Sequence, residues 1–154
     1  MTMNVKPIPE GYHSVTPYLI VSGASDAIAF YKKALGAQEV MRLADPGGKV
    51  HHAEIKIGDS RIMLADEHPE IQALSPKTVG GSPVSIHLYV EDVDAAVERA
   101  VAAGAKLVRP VADQFYGDRV GGIEDPFGYR WIIATRKEDL TMDEIRRRAA
   151  AQSG

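Results

Sequence analysis

Between Val15 and Val21 the chain alternates. Val15, Leu19 and Val21 share one face with Pro17, and Thr16, Tyr18 and Ile20 share the other, which is the period of a strand. From Ser25 the period lengthens. Ile28, Tyr31 and Leu35 recur at helical spacing, with Ser25 as the expected N-cap and Gly36 as the stop. "QEVMRL" reads as a second strand, Asp45–Lys49 as a turn, "VHHAEIKIG" as a third strand and "RIMLA" as a fourth. Residues 66–83 carry three prolines and a Gly-Gly and read as a linker.

The order then repeats. "VSIHLYV" (Val84–Val90) matches "VTPYLIV" at an offset of 69 residues. A helix over about Val93–Ala103 stops at Gly104, and "AKLVRPV" is a strand. The loop "ADQFYGD" leads to a strand near Arg119–Glu124. Asp125–Gly128 turns into a last strand, Tyr129–Ala134. Thr141 and Glu144 have capping-box spacing for a tail helix, "MDEIRRRAAA". The pattern predicts an α+β fold of two βαβββ modules in tandem, forming a cleft lined by curved sheets, with the helices on the outer faces. Within a single domain of residues 1–154, the modules are 12–66 and 84–136, joined by a linker at 67–83 and followed by a tail helix in 137–154. Residues 1–13 form an extended lead-in.

Composition narrows the function classes. A net charge of −3 argues against a nucleic-acid partner, which needs a basic face. The absence of cysteine excludes disulfides and thiolate metal sites. No apolar run has the length of a membrane span, and the N-terminus lacks a signal-peptide pattern. A cytoplasmic protein without a membrane partner is expected.

Strand parity selects the cleft residues. Ile55 and Ile57 require a dry face, which they share with His51 and Ala53, so His52, Glu54 and Lys56 point into the cleft. Glu54 is a candidate general base and His52 a candidate proton carrier; the alternative is a cross-strand ion pair of Glu54 and Lys56. His87 shares the cleft face with Ser85, and Tyr18 is its repeat partner. With Tyr89 they form either a ring-and-donor wall for a ligand or a packed core. Tyr116, Asp118 and Arg119 lie in a glycine-flanked segment and are candidate rim residues; alternatively Arg119 pairs with Asp118 or Glu124 across a turn. Asp125 reads as a turn cap, and Trp131 as packed against a helix or an interface. There is no phosphate-binding loop, dinucleotide glycine pattern or nucleophile elbow.

"AIAFYKKALGA", "VEDVDAAVERAVAAGA" and "DPFGYRW" resemble the vicinal-oxygen-chelate superfamily, which includes glyoxalase I, bleomycin-resistance proteins and extradiol dioxygenases. "TPYLIVSGASDAIAFY" with "HHAEIKIGDSRIMLADE" resembles its PhnB-like branch. The resemblance spans roughly residues 12–136. It implies metal-ligand places on the first and last strand of each module, which fall at Thr16, Met63, Ser85 and Ile132. None is a good divalent-metal ligand, so the usual metal quartet, and with it a metal cofactor, is not expected; the four residues line the ligand cleft instead. A displaced metal site at His52, Glu54 and His87 is the alternative. The resemblance implies a homodimer, with Trp131 and the tail helix as candidate contacts. Two functions stay open: a binding protein for a small organic molecule, or a lyase or isomerase using Glu54 and His52. A purely structural or regulatory dimer is a third.

Overall fold

The computed structural model describes residues 4–153; the first three residues of the lead-in and Gly154 lie outside it. The chain divides into two compact units, and the boundary along the sequence falls between Gly81 and Ser82, inside the segment expected as linker.

The first unit begins with strand β1 (Tyr18–Val21), followed by helix α1 (Ala24–Leu35) and strands β2 (Gln38–Ala44), β3 (Val50–Ile57) and β4 (Ser60–Asp66). The sheet order is β1-β4-β3-β2, with β1 parallel to β4 and the other pairs antiparallel. Helix α1 turns Ala24, Ala27, Ile28, Tyr31 and Ala34 inward, the 3.6-residue spacing read from the sequence. The sheet's dry face supplies Leu19, Val21, Ile55, Ile62 and Leu64. Each large apolar side chain fully buried there contributes about 1.5–3 kcal/mol.

The start of α1 departs from expectation. Gly23 in a left-handed conformation (φ 96°), not Ser25, is the N-cap, and it offers no side chain to the open amides. Asp66, at the far end of β4, takes that role. Its Oδ1 accepts from the N–H groups of Gly23 (3.0 Å) and Ala24 (2.7 Å), and its Oδ2 from that of Val50 (2.8 Å). Gly36 ends the helix as expected, with its N–H on the Tyr31 carbonyl. His51 lies at the surface, facing Asp45 at 3.2 Å, whereas Val50 is fully buried, so strand parity does not hold for these two residues. The pairing of β2 with β3 shifts register between Leu43 and Ala44, so the alternation breaks at the first residues of β3.

The expected linker is not featureless. It holds a 3₁₀ turn at Pro69–Ile71 and a short helix α2 (Pro76–Val79).

The second unit repeats the plan with β5 (Ser85–Tyr89), α3 (Val93–Ala102), β6 (Lys106–Asp113), β7 (Asp118–Glu124) and β8 (Arg130–Arg136), in sheet order β5-β8-β7-β6. Both βαβββ modules are therefore present. Strands β6 and β7 reach further than the sequence suggests, which shortens the loop between them to residues 114–117. Asp92 caps α3 by accepting from the Ala95 N–H. Asp125 caps its turn as expected: Oδ1 accepts from the Phe127 and Tyr129 amides, and Oδ2 from the Trp131 indole N–H at 2.9 Å. Trp131 is 1% exposed and alternates with Ile132. The tail forms helix α4 (Met142–Ser153). Only half of the expected capping box is made, because Thr141 accepts from the Glu144 amide while the Glu144 carboxylate binds Arg147 and Arg148. Among the described residues no helix is long and apolar enough to cross a membrane.

Candidate functional site

Parity places one row of side chains across the helix-free face of the first sheet. Tyr18 is the register partner of Met63, Met63 of Glu54, and Glu54 of Met41. His52 lies two residues before Glu54 on the same face, and Arg61 two residues before Met63. Thr16 precedes β1 and is half-buried.

Within this face Tyr18, His52, Glu54 and Tyr12 form one connected chain. The Tyr18 hydroxyl lies 2.8 Å from His52 Nδ1, and His52 Nε2 lies 2.8 Å from Glu54 Oε2. Glu54 Oε1 accepts from the Tyr12 hydroxyl. The Arg61 guanidinium sits 5.1 Å from the centre of the Tyr12 ring, a cation–π distance. Gly11 makes room for it, since a Cβ there would lie 2.6 Å from Arg61 Nη2.

The charges in this chain follow from their surroundings. Hydrogen bonds from Tyr12 and then from His52 hold the Glu54 carboxyl below its usual range, against the opposing effect of burial. Glu54 is therefore a carboxylate that only accepts, and His52 Nε2 must carry the proton between them. In neutral His52, Nδ1 is then the acceptor for the Tyr18 hydroxyl. Burial and the Glu54 charge push the Tyr18 hydroxyl above its usual range, so it stays protonated. A carboxylate held low and occupied on both oxygens is a weak proton acceptor near neutrality. Its effect is to fix the His52 ring and, through it, Tyr18, whose side of the sheet remains half exposed.

The second unit repeats the row with different chemistry. His87 is the register partner of Ile132, Ile132 of Gly122, and Gly122 of Arg109. Ser85 and Tyr89 flank His87, whose ring lies 4.9 Å from that of Tyr89. The Tyr89 hydroxyl donates to Asp118 Oδ2 at 2.8 Å, and this bond raises the Tyr89 hydroxyl above its usual range. Tyr116 lies in the turn between β6 and β7, half-buried, its ring edge-on to Phe115 at 5.2 Å. Arg119 is not gathered with them. It alternates with Asp118, and its guanidinium pairs with Asp94 of α3 (2.8 Å) and with Asp113 (3.2 Å), neither of the partners considered from the sequence.

The sequence reading thus finds Tyr18, His52, Glu54 and Met63 on one face, and Ser85, His87, Asp118 and Ile132 on another. It misses Tyr12 and Arg61. Parity carried one step back from Met63 reaches Arg61; Tyr12 lies in an irregular segment with no periodic signal.

The four superfamily metal places do not fit a divalent metal. Met63 and Ile132 occupy the middle of their rows with a thioether and a hydrocarbon, and Thr16 and Ser85 offer only hydroxyls. Among the described residues no group of three His, Asp or Glu side chains is arranged to hold a metal ion. His52 and Glu54, two members of the alternative set, are bonded to each other.

Comparison with known proteins agrees with this architecture. The family model described as the Glyoxalase/Bleomycin resistance protein/Dioxygenase superfamily matches residues 11–133. The uncharacterised protein Mb0911c of Mycobacterium bovis is 40% identical over 99% of this chain and 98% of its own length. The crystal structure of the At5g48480 product of Arabidopsis thaliana is 32% identical, with a TM-score of 0.65 over 80% of this chain and 98% of that one. A PhnB protein of Bacillus cereus shares the fold at 18% identity, with a TM-score of 0.61 over 80% of this chain and 99% of that one.

Proposed function

This chain belongs to the glyoxalase/bleomycin resistance protein/dioxygenase superfamily, and from that premise we propose that it binds a small organic molecule on the helix-free face of its first unit, without the superfamily's metal quartet, as a homodimer. The carrying observation is the chain Tyr18–His52–Glu54–Tyr12. It holds the hydroxyl of half-exposed Tyr18 in a fixed orientation on a sheet face that also presents Met63, Met41 and Arg61. Apolar surface with a few oriented polar groups is the usual make-up of a small-molecule site. Preorganisation of this kind lowers the ordering cost of binding.

The test is a ligand-observed NMR screen of small organic molecules against the full chain. Hits should bind equally well to chelator-treated protein and to protein supplied with Mn²⁺ or Zn²⁺. Tyr18→Phe should weaken them on the order of tenfold, or about 1.4 kcal/mol. Binding that requires added metal, or that ignores Tyr18→Phe, overturns the proposal. Sedimentation at tens of micromolar, roughly the scale at which a standard interface is populated, should give a dimer.

A second reading is a lyase or isomerase. It is favoured by the Tyr18–His52–Glu54 arrangement, in which a histidine beside a hydroxyl is oriented by a third group. Here the unprotonated His52 Nδ1 is the base: it takes the Tyr18 hydroxyl proton as that oxygen accepts one from the substrate, and the Glu54 carboxylate stabilises the imidazolium that forms. Glu54→Gln separates the readings. In an enzyme it lowers kcat with KM near its starting value; in a binding protein there is no turnover to lose and only affinity changes.

A further inference from the structure

The first unit contains a cavity of about 240 Å³ lined by Tyr18, by residues of β1, β3 and β4, and by residues of the expected linker. We infer that this cavity takes a small amphipathic carboxylate, with its apolar body against Ile20, Val50 and Ala65 and its carboxylate on Lys49. The inference rests on the proposed binding function and assigns that site a ligand class.

Size and lining select the body of the ligand. The volume lies below the roughly 300–1,000 Å³ of drug-sized sites, so the molecule is small. Ile20 and Ala65 are register partners on the helix-free face, and Val50 beside them is fully buried. Ile71 and Ala73 line the cavity from the linker. Ile71 is 70% exposed, an apolar side chain that a ligand beneath it would help to cover.

The charged lining residues select the head group. His51 lies against Asp45 at 3.2 Å, and His68 against Glu70 at 3.0 Å. Asp66 accepts three backbone N–H bonds, which satisfies its charge internally and reduces its repulsion of an anion. Lys49 remains. Among the described residues its ammonium has no side-chain partner, and it is the permanent cation of the lining. A carboxylate supplies the charge that Lys49 lacks.

The experiment is an NMR titration of the isotope-labelled full chain with benzoate and hexanoate, set against benzamide and hexanamide as neutral analogues of the same shape. The acids should shift the Ile20 and Ala65 methyl signals and bind on the order of tenfold more tightly than the amides. Lys49→Met should bring the acids down to the affinity of the amides and leave the amides unchanged; dispersed amide spectra confirm that the variant is folded. Acids and amides binding alike, acids indifferent to Lys49→Met, or no acid binding at millimolar concentration overturns the inference. If amides bind as tightly as acids and Tyr18→Phe weakens both, the carboxylate class falls while the binding function stands. If neither Tyr18→Phe nor Lys49→Met affects any ligand, both fall.

Discussion

Asp66 and Thr135 occupy the same place, 69 residues apart, and each holds the first turn of its own unit's helix. Asp66 accepts from Gly23, Ala24 and Val50. Thr135 Oγ1 accepts from the Val93 N–H at 2.9 Å and donates to the Val90 carbonyl at 2.8 Å. Asp66→Ala strands three amides and should cost about 1–3 kcal/mol. Thr135→Val strands one and should cost about 0.5–2 kcal/mol. Urea midpoints of the two variants test the order; equal or reversed losses would contradict it.

These two contacts mark the limit of what the sequence discloses. Strand and helix periods were legible because each sheet has one dry face and each helix one dry stripe. The repeat was legible because β1 and β5 keep the same register to their last strands. The caps were not: Asp66 reaches Gly23 across 43 residues, and as the first residue after "RIMLA" it looks like part of a polar linker. Parity separated His52 and Glu54 from Ile55 and Ile57 correctly. It could not show that Glu54 would be occupied by Tyr12, because the path of an irregular lead-in is set by packing rather than by any period. Arg119 fell on the same ground, since its acidic partners come from α3 and β6 rather than from its own turn.

Glu54 makes stability depend on pH. Its carboxyl is lowered from the ordinary 4.5 by Tyr12 and His52. A carboxyl depressed by folding stabilises the protein above its unfolded value, and that contribution is lost as the pH falls through the folded value. Glu54→Gln should therefore cost about 1–3 kcal/mol at pH 7. The gap from the parent should close progressively below pH 4.5. Denaturant unfolding across that range checks this; a gap that does not change with pH would show that the hydrogen bonds carry no charge-dependent stability.

Gly117 should not tolerate a side chain. Its φ is +100°, and a Cβ would lie 2.9 Å from the Glu138 carbonyl oxygen, while its own carbonyl accepts from the Lys137 and Glu138 amides. Gly117→Ala combines a disfavoured backbone with a clash against main chain and should cost about 1–3 kcal/mol. Hydrogen exchange at Lys137 and Glu138 should accelerate, and unchanged exchange would refute the coupling.

Trp131 is the one tryptophan of the sequence and is 1% exposed. Its fluorescence should resist quenching by iodide in the folded state and report unfolding directly. Trp131→Phe removes the indole donor from buried Asp125 and should cost about 1–3 kcal/mol from that bond alone, measured as a shift in the denaturation midpoint. Efficient quenching in native buffer would contradict the burial.

Gly122 stands in the second unit where Glu54 stands in the first. The two modules share this register position and differ in what fills it. A Cβ at Gly122 would lie 3.0 Å from Arg109 Cβ and 3.4 Å from Val108 Cγ2, so β6 has settled into the space that a side chain would need. A side chain there requires Arg109 and Val108 of β6 to give way. The matched place therefore holds a carboxylate only in the first unit, where Tyr12 and His52 occupy it.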